Sequence, residues 1–306
     1  MRSTGPALLC LGNITIDDAV LPDGTVRRSC LGGDAIYSGL AARLFQPDTR
    51  ILAPVGADLS DEARIALDDA GVRVSALPQR RAPTVRNVIT YGADGGRTWD
   101  LRVPESTFEQ LSVQPEDLDA DALAARAVLS CAMSLVAQSR TVGHLAIHSD
   151  AVLYLDLQED YIGGNEETVL EMVAASQVFL PSEEEVRRLL GTEDWSGACR
   201  TFAEHGPDVV VIKRAAEGCL VYESATGTLT EVAAYRTDAV DSTGAGDAFC
   251  GGFAAVHGTT GDPVAAARAG AVAASFAIAG FGNDVLLTLA PSEAKKRLQD
   301  WESSGG

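Results

Sequence analysis

Short apolar runs alternate with stretches of helical periodicity along most of this chain. Runs with the length and composition of buried strands lie at residues 7–11, 51–55, 127–131, 151–155, 178–180 and 209–212. Helical spacing of apolar residues fills residues 34–45, 61–70, 139–148, 166–175, 183–190, 196–205, 247–257 and 263–279. This alternation predicts an α/β fold in which a mostly parallel sheet is covered on both faces by helices. Ligands of such sheets bind at the carboxyl ends of the strands.

Two segments depart from this alternation and have the pattern of β-hairpins. The first spans residues 18–30 around Pro22-Asp23-Gly24, and the second spans residues 86–103 around Asp94-Gly95-Gly96. Both turns contain the residues that tight turns prefer. No repeat or linker divides the chain, so we expect one domain over residues 1–306, with a loose tail from Trp301 onward.

The composition narrows the classes of partner. The chain has 306 residues, 46% of them hydrophobic, and a formal net charge of −19. Such an acidic chain is a poor match for nucleic acid or for an anionic membrane, because both require a basic surface. The six cysteines are scattered without a Cys-x-x-Cys pair, which is typical of reduced, buried thiols. With no apolar run long enough for a signal peptide or a membrane span, we expect a cytoplasmic protein.

The segment from Asp241 to Phe253 carries the strongest chemical signal. Residues 231–240 have extended character and residues 247–257 are helical, so Gly244 and Gly246 stand where a loop turns into a helix. Free backbone N–H groups at such a helix start, together with the helix dipole, favour a phosphate or a developing oxyanion. Asp247, in the first turn, can take a proton from an attacking hydroxyl. The alternative is an ordinary glycine-rich turn in which Asp247 only caps the helix.

The run Asp241-Ser-Thr-Gly-Ala-Gly-Asp-Ala-Phe249 closely resembles the C-terminal signature of the ribokinase-like (PfkB-type) carbohydrate kinases. Gly32-Gly33, opening the helical run 34–45, resembles the N-terminal signature, and the likeness extends from Leu9 to about Leu298. The resemblance implies a ribokinase-like fold with a small β-sheet lid made by residues 15–31 and 85–104. The alternative is two surface hairpins with no part in binding. An exposed edge of the lid is also a candidate surface for a homodimer.

The resemblance implies that Asp247 is the general base and that the backbone amides of Gly244, Ala245 and Gly246 stabilise the phosphoryl group during transfer. The donor is then ATP with Mg²⁺, and the acceptor is a hydroxyl of a sugar or of a sugar-like polyol. Two alternatives remain open. One is a nucleoside kinase of the same fold, and the other is a catalytically silent protein that binds a sugar or a nucleotide.

The acceptor is expected to lie near the first strand and the first helix. Family members use an aspartate after this strand to bind substrate hydroxyls, and strand alternation favours Asp17 over Asp18. The resemblance places Gly32 and Gly33 against the substrate, with a plain start of a helix as the alternative. Asp34 is a substrate ligand or an N-terminal helix charge.

Tyr37 stands where many relatives have an asparagine that contacts the sugar. Its ring can stack on a ring of the substrate and hydrogen-bond to it, or it can simply fill the core. A Tyr37 ring stacked on a base would favour the nucleoside kinase.

Other family positions are expected to bind the nucleotide and the metal. Ser182 and Glu185 resemble the family's Asn-x-x-Glu element, with serine in place of asparagine, which implies that Glu185 holds Mg²⁺ through water. The alternative is a capped helix start. Lys213 and Gly218 lie where the family approaches the nucleotide, although Ala215 replaces a glycine there. Asp156 and Gln158 are candidates for contacts behind the metal or for a loop role.

The remaining expectations concern a monovalent cation beside the helix start at Gly244 and the adenine of the bound nucleotide. Asp241 and Thr243 correspond to positions near a monovalent cation, and their oxygen atoms suit potassium. The alternative is that Asp241 only orders its loop. Asn283, after the run 273–282, resembles the adenine side of the nucleotide pocket. Arg97 and Arg102 in the second hairpin are candidates for binding an anionic substrate or for a solvated strand face.

Overall fold

The structure is a computed structural model, and it describes residues 5–92 and 96–304. Within these ranges the strands form two sheets. The strands are β1 (Leu8–Leu11), β2 (Thr15–Val20), β3 (Val26–Gly32), β4 (Thr49–Leu52), β5 (Val85–Tyr91), β6 (Arg97–Leu101), β7 (Ala127–Ser130), β8 (Val152–Leu155), β9 (Val178–Phe179), β10 (Val209–Lys213), β11 (Cys219–Glu223) and β12 (Thr228–Val232).

Helices fill most of the connections between these strands. They are α1 (Asp34–Arg43), α2 (Asp61–Asp69), α3 (Glu105–Gln110), α4 (Ala120–Leu123), α5 (Leu135–His148), α6 (Glu166–Ala175), α7 (Glu183–Leu190), α8 (Trp195–His205), α9 (Ala245–Thr260), α10 (Pro263–Ala277), α11 (Asp284–Thr288) and α12 (Pro291–Ser303). None of these helices is both long and apolar enough to cross a membrane. The eight helices predicted from sequence are all present, five of them with the predicted first residue and the other three within four residues of it.

The larger sheet has the strand order β12-β11-β10-β9-β8-β7-β1-β4. Strands β4, β1, β7, β8, β9 and β10 pair in parallel, and β11 and β12 add an antiparallel edge. The six parallel strands are the six predicted from apolar runs. The prediction of an α/β fold with a mostly parallel sheet is therefore confirmed.

Both faces of this sheet are buried, because successive side chains of each strand point to opposite sides. Leu9 and Leu11 pack into one hydrophobic cluster with residues of α5, α6 and α8. Leu8 and Cys10, one position away, pack into another cluster with residues of α9 and α10. This two-sided burial is the reason that each parallel strand reads as a continuous apolar run.

The smaller sheet has the order β3-β2-β5-β6 and is formed by the two predicted hairpin segments. Strands β2 and β3 pair antiparallel, β5 and β6 pair antiparallel, and β2 pairs with β5 in parallel. Part of the predicted turn Asp94-Gly95-Gly96 lies outside the described residues. We refer to this four-stranded sheet as the lid sheet.

The segment of residues 231–240, expected to be extended as a strand or loop, contains the end of β12 at Val232, and residues 233–239 form no strand or helix. The tail was expected to be loose from Trp301, but helix α12 continues to Ser303. The reason is packing, because the ring of Trp301 lies edge-on against Tyr235 with centroids 5.4 Å apart.

The turn between β10 and β11 contains a backbone conformation that an alanine rarely adopts. Ala215 has φ 47°, in the left-handed region, at the position where the sequence comparison expected a glycine. Left-handed backbone costs a non-glycine residue about 1–2 kcal/mol. We expect Ala215→Gly to raise the free energy of unfolding by about 1 kcal/mol, measured by urea denaturation.

The neighbouring Ala216 provides the control, because it lies in the same exposed turn and is not among the residues with positive φ. Ala216→Gly should lower the free energy of unfolding, since glycine only adds freedom to the unfolded chain there. Equal losses for both variants would contradict the interpretation.

Candidate active site

Helix α9 begins at a glycine-rich turn whose backbone could bind an anion. Its N-cap is Gly244, with φ 74°, and no side chain caps the helix. Ala245 N donates to the carbonyl of Ser242 at 3.4 Å, so the N–H groups of Gly246 and Asp247 are the ones that remain available to an anion at the positive end of the helix dipole. Gly246 follows in the first turn and is exposed. This is the geometry that the sequence predicted for residues 244–246.

The position of Gly244 is set by Tyr37 on α1. A Cβ atom built at Gly244 would lie 2.2 Å from the Tyr37 ring, so the ring occupies the space that a side chain would need. Tyr37 is only 4% exposed. The ring therefore fills the core beneath the anion site, which is the packing alternative that the sequence left open. Because it is buried there, it offers no free face for stacking on a substrate.

Asp247 and Asp34 form a pair of interacting carboxyl groups. Asp247 lies in the first turn of α9, and Asp34 is the first residue of α1, after the N-cap Gly33. Burial and the charges of Asp34 and Asp156 raise the pKa of Asp247 well above its usual range. Burial and neighbouring aspartates raise the pKa of Asp34 to about 7. The two groups hydrogen-bond to each other, so they compete for one proton.

Lys213 supplies positive charge next to this pair. Its Nζ atom donates to Asp156 Oδ1 at 2.5 Å and to Cys250 Sγ at 3.5 Å. It also lies 3.7 Å from the place of a Cβ atom on Gly246, beside the start of α9. Burial opposes the charge, but the carboxylate of Asp156 raises the pKa of Lys213 well above its usual value. Asp156 is therefore the anion that pairs with Lys213 at the end of β10. The N-terminus of α9 lies next to this pair.

Glu185 joins the same electrostatic cluster from α7. It closes a capping box: Ser182 N donates to Glu185 Oε2 at 2.6 Å, and Glu185 N donates to Ser182 Oγ at 3.3 Å. The side chain is nevertheless buried, and burial raises its pKa to about 7 against the effect of Lys213. The capped helix start that the sequence offered as an alternative is therefore present. The capping box alone does not account for the raised pKa of Glu185, because a helix cap works with an ordinary carboxylate.

Asp17 lies on the lid sheet in a hydrogen-bonded pocket. Its carboxylate accepts from Thr15 Oγ1 at 2.8 Å and from Asn87 Nδ2 at 2.9 Å. Its Oδ2 atom occupies the space where Gly32 would have a side chain, at 2.3 Å from a built Cβ. Burial raises the pKa of Asp17 to about 6. Asp18 instead pairs with Arg28 at 3.1 Å near solvent, so the predicted alternation of the two aspartates is confirmed.

Asp241 connects three segments around the anion site. Its Oδ1 atom accepts from Thr243 N at 2.9 Å and from the Tyr91 hydroxyl at 3.1 Å, and its Oδ2 atom accepts from Gly282 N at 3.1 Å. Thr243 Oγ1 in turn accepts from Arg97 Nη1 at 3.1 Å. Asp241 therefore orders its loop and attaches the lid sheet to it. Arg102 contacts Asp100 in the exposed part of the lid instead.

Two residues expected near the nucleotide lie apart from this cluster. Asn283 donates from Nδ2 to the carbonyl of Leu31 at 3.1 Å, at the base of the lid sheet next to Gly32. Its buried Oδ1 atom has no hydrogen-bond partner among the described residues. Gly218 closes the turn that contains Ala215, and its carbonyl accepts from Arg214 N at 2.8 Å. Neither contact brings the residue to the carboxyl cluster.

The cluster suits a hard divalent cation in composition but does not form a closed metal site. Among residues 5–92 and 96–304, no group of three or more His, Cys, Asp or Glu side chains is arranged to hold a metal ion. The raised pKa values nevertheless indicate that neighbouring positive charge does not balance the carboxylates when they are ionised. Mg²⁺ would neutralise this negative charge. Mg²⁺ commonly keeps several waters and binds phosphate oxygens. Glu185 and Asp156 therefore fit a Mg²⁺ that is held through water.

Sequence reasoning missed Asn87 and Tyr91 of the lid sheet, and it named Arg97 without its contact to the Asp241 loop. Asn87 and Tyr91 lie on one face of β5, two register positions on either side of Ile89, and Arg97 pairs directly with Tyr91 on β6. The period of two in β5 could have indicated this shared face. The contact of Tyr91 with Asp241 spans 150 positions in the sequence, and no local pattern indicates it.

Taken together, a helix N-terminus without a side-chain cap, an adjoining aspartate and a lysine that is only 13% exposed are the groups that phosphoryl transfer to an alcohol would need. The sequence matches the pfkB family carbohydrate kinases over residues 22–286. The chain therefore belongs to the pfkB family of carbohydrate kinases, as the signatures at Gly32-Gly33 and Asp241–Phe249 predicted.

Individual relatives agree with this assignment. The chain is 28% identical to a cytidine kinase of Thermococcus kodakarensis over 255 residues, which covers 81% of this chain and 87% of that one. Its fold matches that of Burkholderia thailandensis nucleoside kinase in complex with inosine, with a TM-score of 0.81, 19% identity and coverage of 96% and 97%. An E. coli protein assigned to ribokinase II, in complex with ATP and Mg²⁺, matches with a TM-score of 0.80, 20% identity and coverage of 96% and 99%.

The carboxyl pair predicts how stability depends on pH. The pKa of Asp34 is about 7 in the folded protein against 3.8 normally, so the folded state binds its proton more tightly. The resulting stabilisation is complete below about pH 4 and is lost as the pH rises through about 7. Asp34→Asn should therefore lose less stability than the wild type between pH 5 and 8, by more than about 1 kcal/mol.

Urea denaturation at four pH values between 5 and 8 measures this difference. The exposed Asp150 provides the matched control, and Asp150→Asn should follow the wild-type curve. Parallel curves for Asp34→Asn and the wild type would contradict the coupling of the two carboxyl groups.

Proposed function

We propose that this protein transfers the γ-phosphoryl group of ATP to a hydroxyl of a sugar, either free or as part of a nucleoside, with Asp247 as general base. The observation that carries the proposal is the position of Asp247, a carboxyl group of raised pKa in the first turn of a helix without a side-chain cap. Once it is ionised, a carboxylate with a raised pKa is a stronger base, and the adjoining N–H groups favour the phosphoryl group that the hydroxyl attacks.

The acceptor lies between the lid sheet and α1 in this proposal. Asp17, fixed by Thr15 and Asn87, accepts hydrogen bonds from substrate hydroxyls, and its charge makes these bonds short and directional. Gly32 and Gly33 allow the substrate to approach the backbone beside Asp17. Asp34 faces Asp247 and keeps its pKa high, so that the base holds the proton it has removed.

The nucleotide phosphates lie at the start of α9, with Lys213 beside them. Lys213 neutralises part of their charge and positions Asp156, its partner at 2.5 Å. Mg²⁺ bound to ATP would neutralise the charge that develops during transfer, and Glu185 and Asp156 would hold its waters. Ser182 fixes Glu185 through the capping box, so the cap and the proposed metal contact are compatible.

The lid sheet closes the site in this proposal, and the chain acts as one domain. Tyr91 and Arg97 attach the lid to the loop of Asp241 and Thr243, within three residues of Gly244. A lid in this position excludes water, which would otherwise compete with the acceptor for the phosphoryl group. The predicted homodimer through the lid edges remains a prediction.

The monovalent cation and the location also remain proposals. The Asp241 carboxylate accepts three hydrogen bonds, which supports the loop-ordering alternative over a K⁺ ligand. Turnover in KCl compared with tetramethylammonium chloride at equal ionic strength distinguishes the two, since only a bound K⁺ makes turnover depend on the salt. All six cysteines are free, which supports the reducing cytoplasm as the location.

Replacement of the base tests the proposal directly. Asp247→Asn is close in size to the wild-type residue but cannot take a proton, so we expect kcat to fall by at least about 10²-fold. ADP release with MgATP and an accepted sugar or nucleoside measures kcat, and nucleotide binding should persist.

Asp150→Asn, an exposed change of the same chemistry, should leave kcat unaltered. A near-normal kcat for Asp247→Asn would show that another group, or no group, takes the proton.

A further inference from the structure

An exposed tryptophan lies on the face of the lid sheet that carries Asp17. Trp99 pairs directly with Ile89, Ile89 pairs with Ala19, and Asn87, next to Asp17, lies two residues from Ile89. Paired strand residues share a face, and so do residues two apart. Trp99 is therefore on the same side as Asp17, Asn87 and Tyr91, which is the side that faces α1 and the anion site.

The exposure of Trp99 is unusual for a side chain of its size. It remains 48% exposed, whereas Ile89 beside it is 4% exposed. The guanidinium of Arg97 lies over the ring at 4.9 Å from its centroid, and Arg97 also donates to Thr243. The indole is thus held in place by a fixed neighbour while much of its surface stays free. A rigid aromatic surface with a free area suits stacking of a planar ring.

The distance between Trp99 and Asp17 constrains what could reach both. Trp99 lies two strands across the sheet from Asp17 and two residues along it, which puts the two Cα atoms about 12 Å apart. A single sugar held by the Asp17 carboxylate does not extend to this indole. A sugar that carries a second, planar ring does.

The aromatic residue that the sequence offered for stacking is unsuitable. Tyr37 is 4% exposed and packs against Gly244, so no substrate ring reaches its face. On the described part of the lid sheet, Trp99 is the aromatic residue with a largely free surface, because Tyr91 is bonded to Asp241 and Thr243. From this geometry we infer that the acceptor is a nucleoside, whose sugar binds Asp17 and whose base stacks on Trp99. The inference rests on the proposed kinase activity and names its substrate class.

Acceptor preference and a tryptophan variant test the inference together. We expect the full chain with MgATP to release ADP with a higher kcat/KM for cytidine or inosine than for ribose, deoxyribose or fructose. Stacking of a base on an aromatic side chain contributes about 1–3 kcal/mol, so Trp99→Ala should raise the nucleoside KM about 5- to 150-fold. The kcat should change little, and Trp99→Phe should keep most of the affinity.

The matched control is Thr98→Ala, because Thr98 is exposed on the opposite face of the same strand. It should leave the nucleoside KM unchanged, and neither variant should alter the KM of a free sugar. If Trp99→Ala affects nucleosides no more than Thr98→Ala does, the inference is overturned. It is equally overturned if Trp99→Ala only dissociates a dimer in sedimentation while the nucleoside KM is unchanged.

A binding measurement separates this inference from the proposed function. Stacking should quench the fluorescence of Trp99, and Trp99→Phe should abolish the response while Trp195 and Trp301 still emit. ADP release with sugars but not with nucleosides leaves the kinase proposal standing and overturns the inference. Nucleoside-dependent quenching without ADP release from any acceptor supports the stacking site and contradicts the kinase proposal.

Discussion

The structure depends on a largely buried cluster, at one edge of the larger sheet, that contains more carboxyl groups than ammonium groups. The carboxyl groups of Asp156, Glu185 and Asp247 interact there with the ammonium of Lys213, and Asp34 interacts with Asp156 and Asp247. Burial and neighbouring like charges raise the pKa values of Asp34, Glu185 and Asp247. A site of this kind is stable only while it holds protons or a cation, or while its carboxyl groups are held by donors. Its location beside a helix N-terminus directs it toward phosphate chemistry.

The elements of the fold explain why these groups meet. The strand ends of β8 and β10 bring Asp156 and Lys213 together, and the starts of α1, α7 and α9 bring Asp34, Glu185 and Asp247 to the same edge. Helix starts face the carboxyl ends of parallel strands, so this edge collects free N–H groups as well as side chains. Tyr37 adds a steric condition, since its ring fixes Gly244 from below.

The sequence predicted the parts of the fold that have a local cause. The six parallel strands are recognisable because both of their faces are buried, whereas β11 and β12 form an antiparallel edge with weaker signals. Asp247, Gly244 and Lys213 were predicted as site residues because their motifs are continuous in the sequence. The bonds of Tyr91 and Arg97 to the Asp241 loop join segments more than 140 positions apart, and only the folded chain reveals them. The same holds for the burial of Tyr37.

The lid and the anion site share residues, which has a mechanical consequence. Asp241 holds Thr243 and Gly282 by their N–H groups and Tyr91 by its hydroxyl, and Thr243 receives Arg97. A displacement of the lid must therefore break bonds to the loop that ends at Gly244, the N-cap of α9. Ile89, which pairs with Trp99 on β6, lies two positions from Tyr91 on β5. Because Tyr91 and Arg97 belong to the lid sheet, their bonds connect the lid sheet to the start of α9 through Asp241 and Thr243. If the acceptor binds the lid face as proposed, its binding would therefore act on the segment that leads into Gly244.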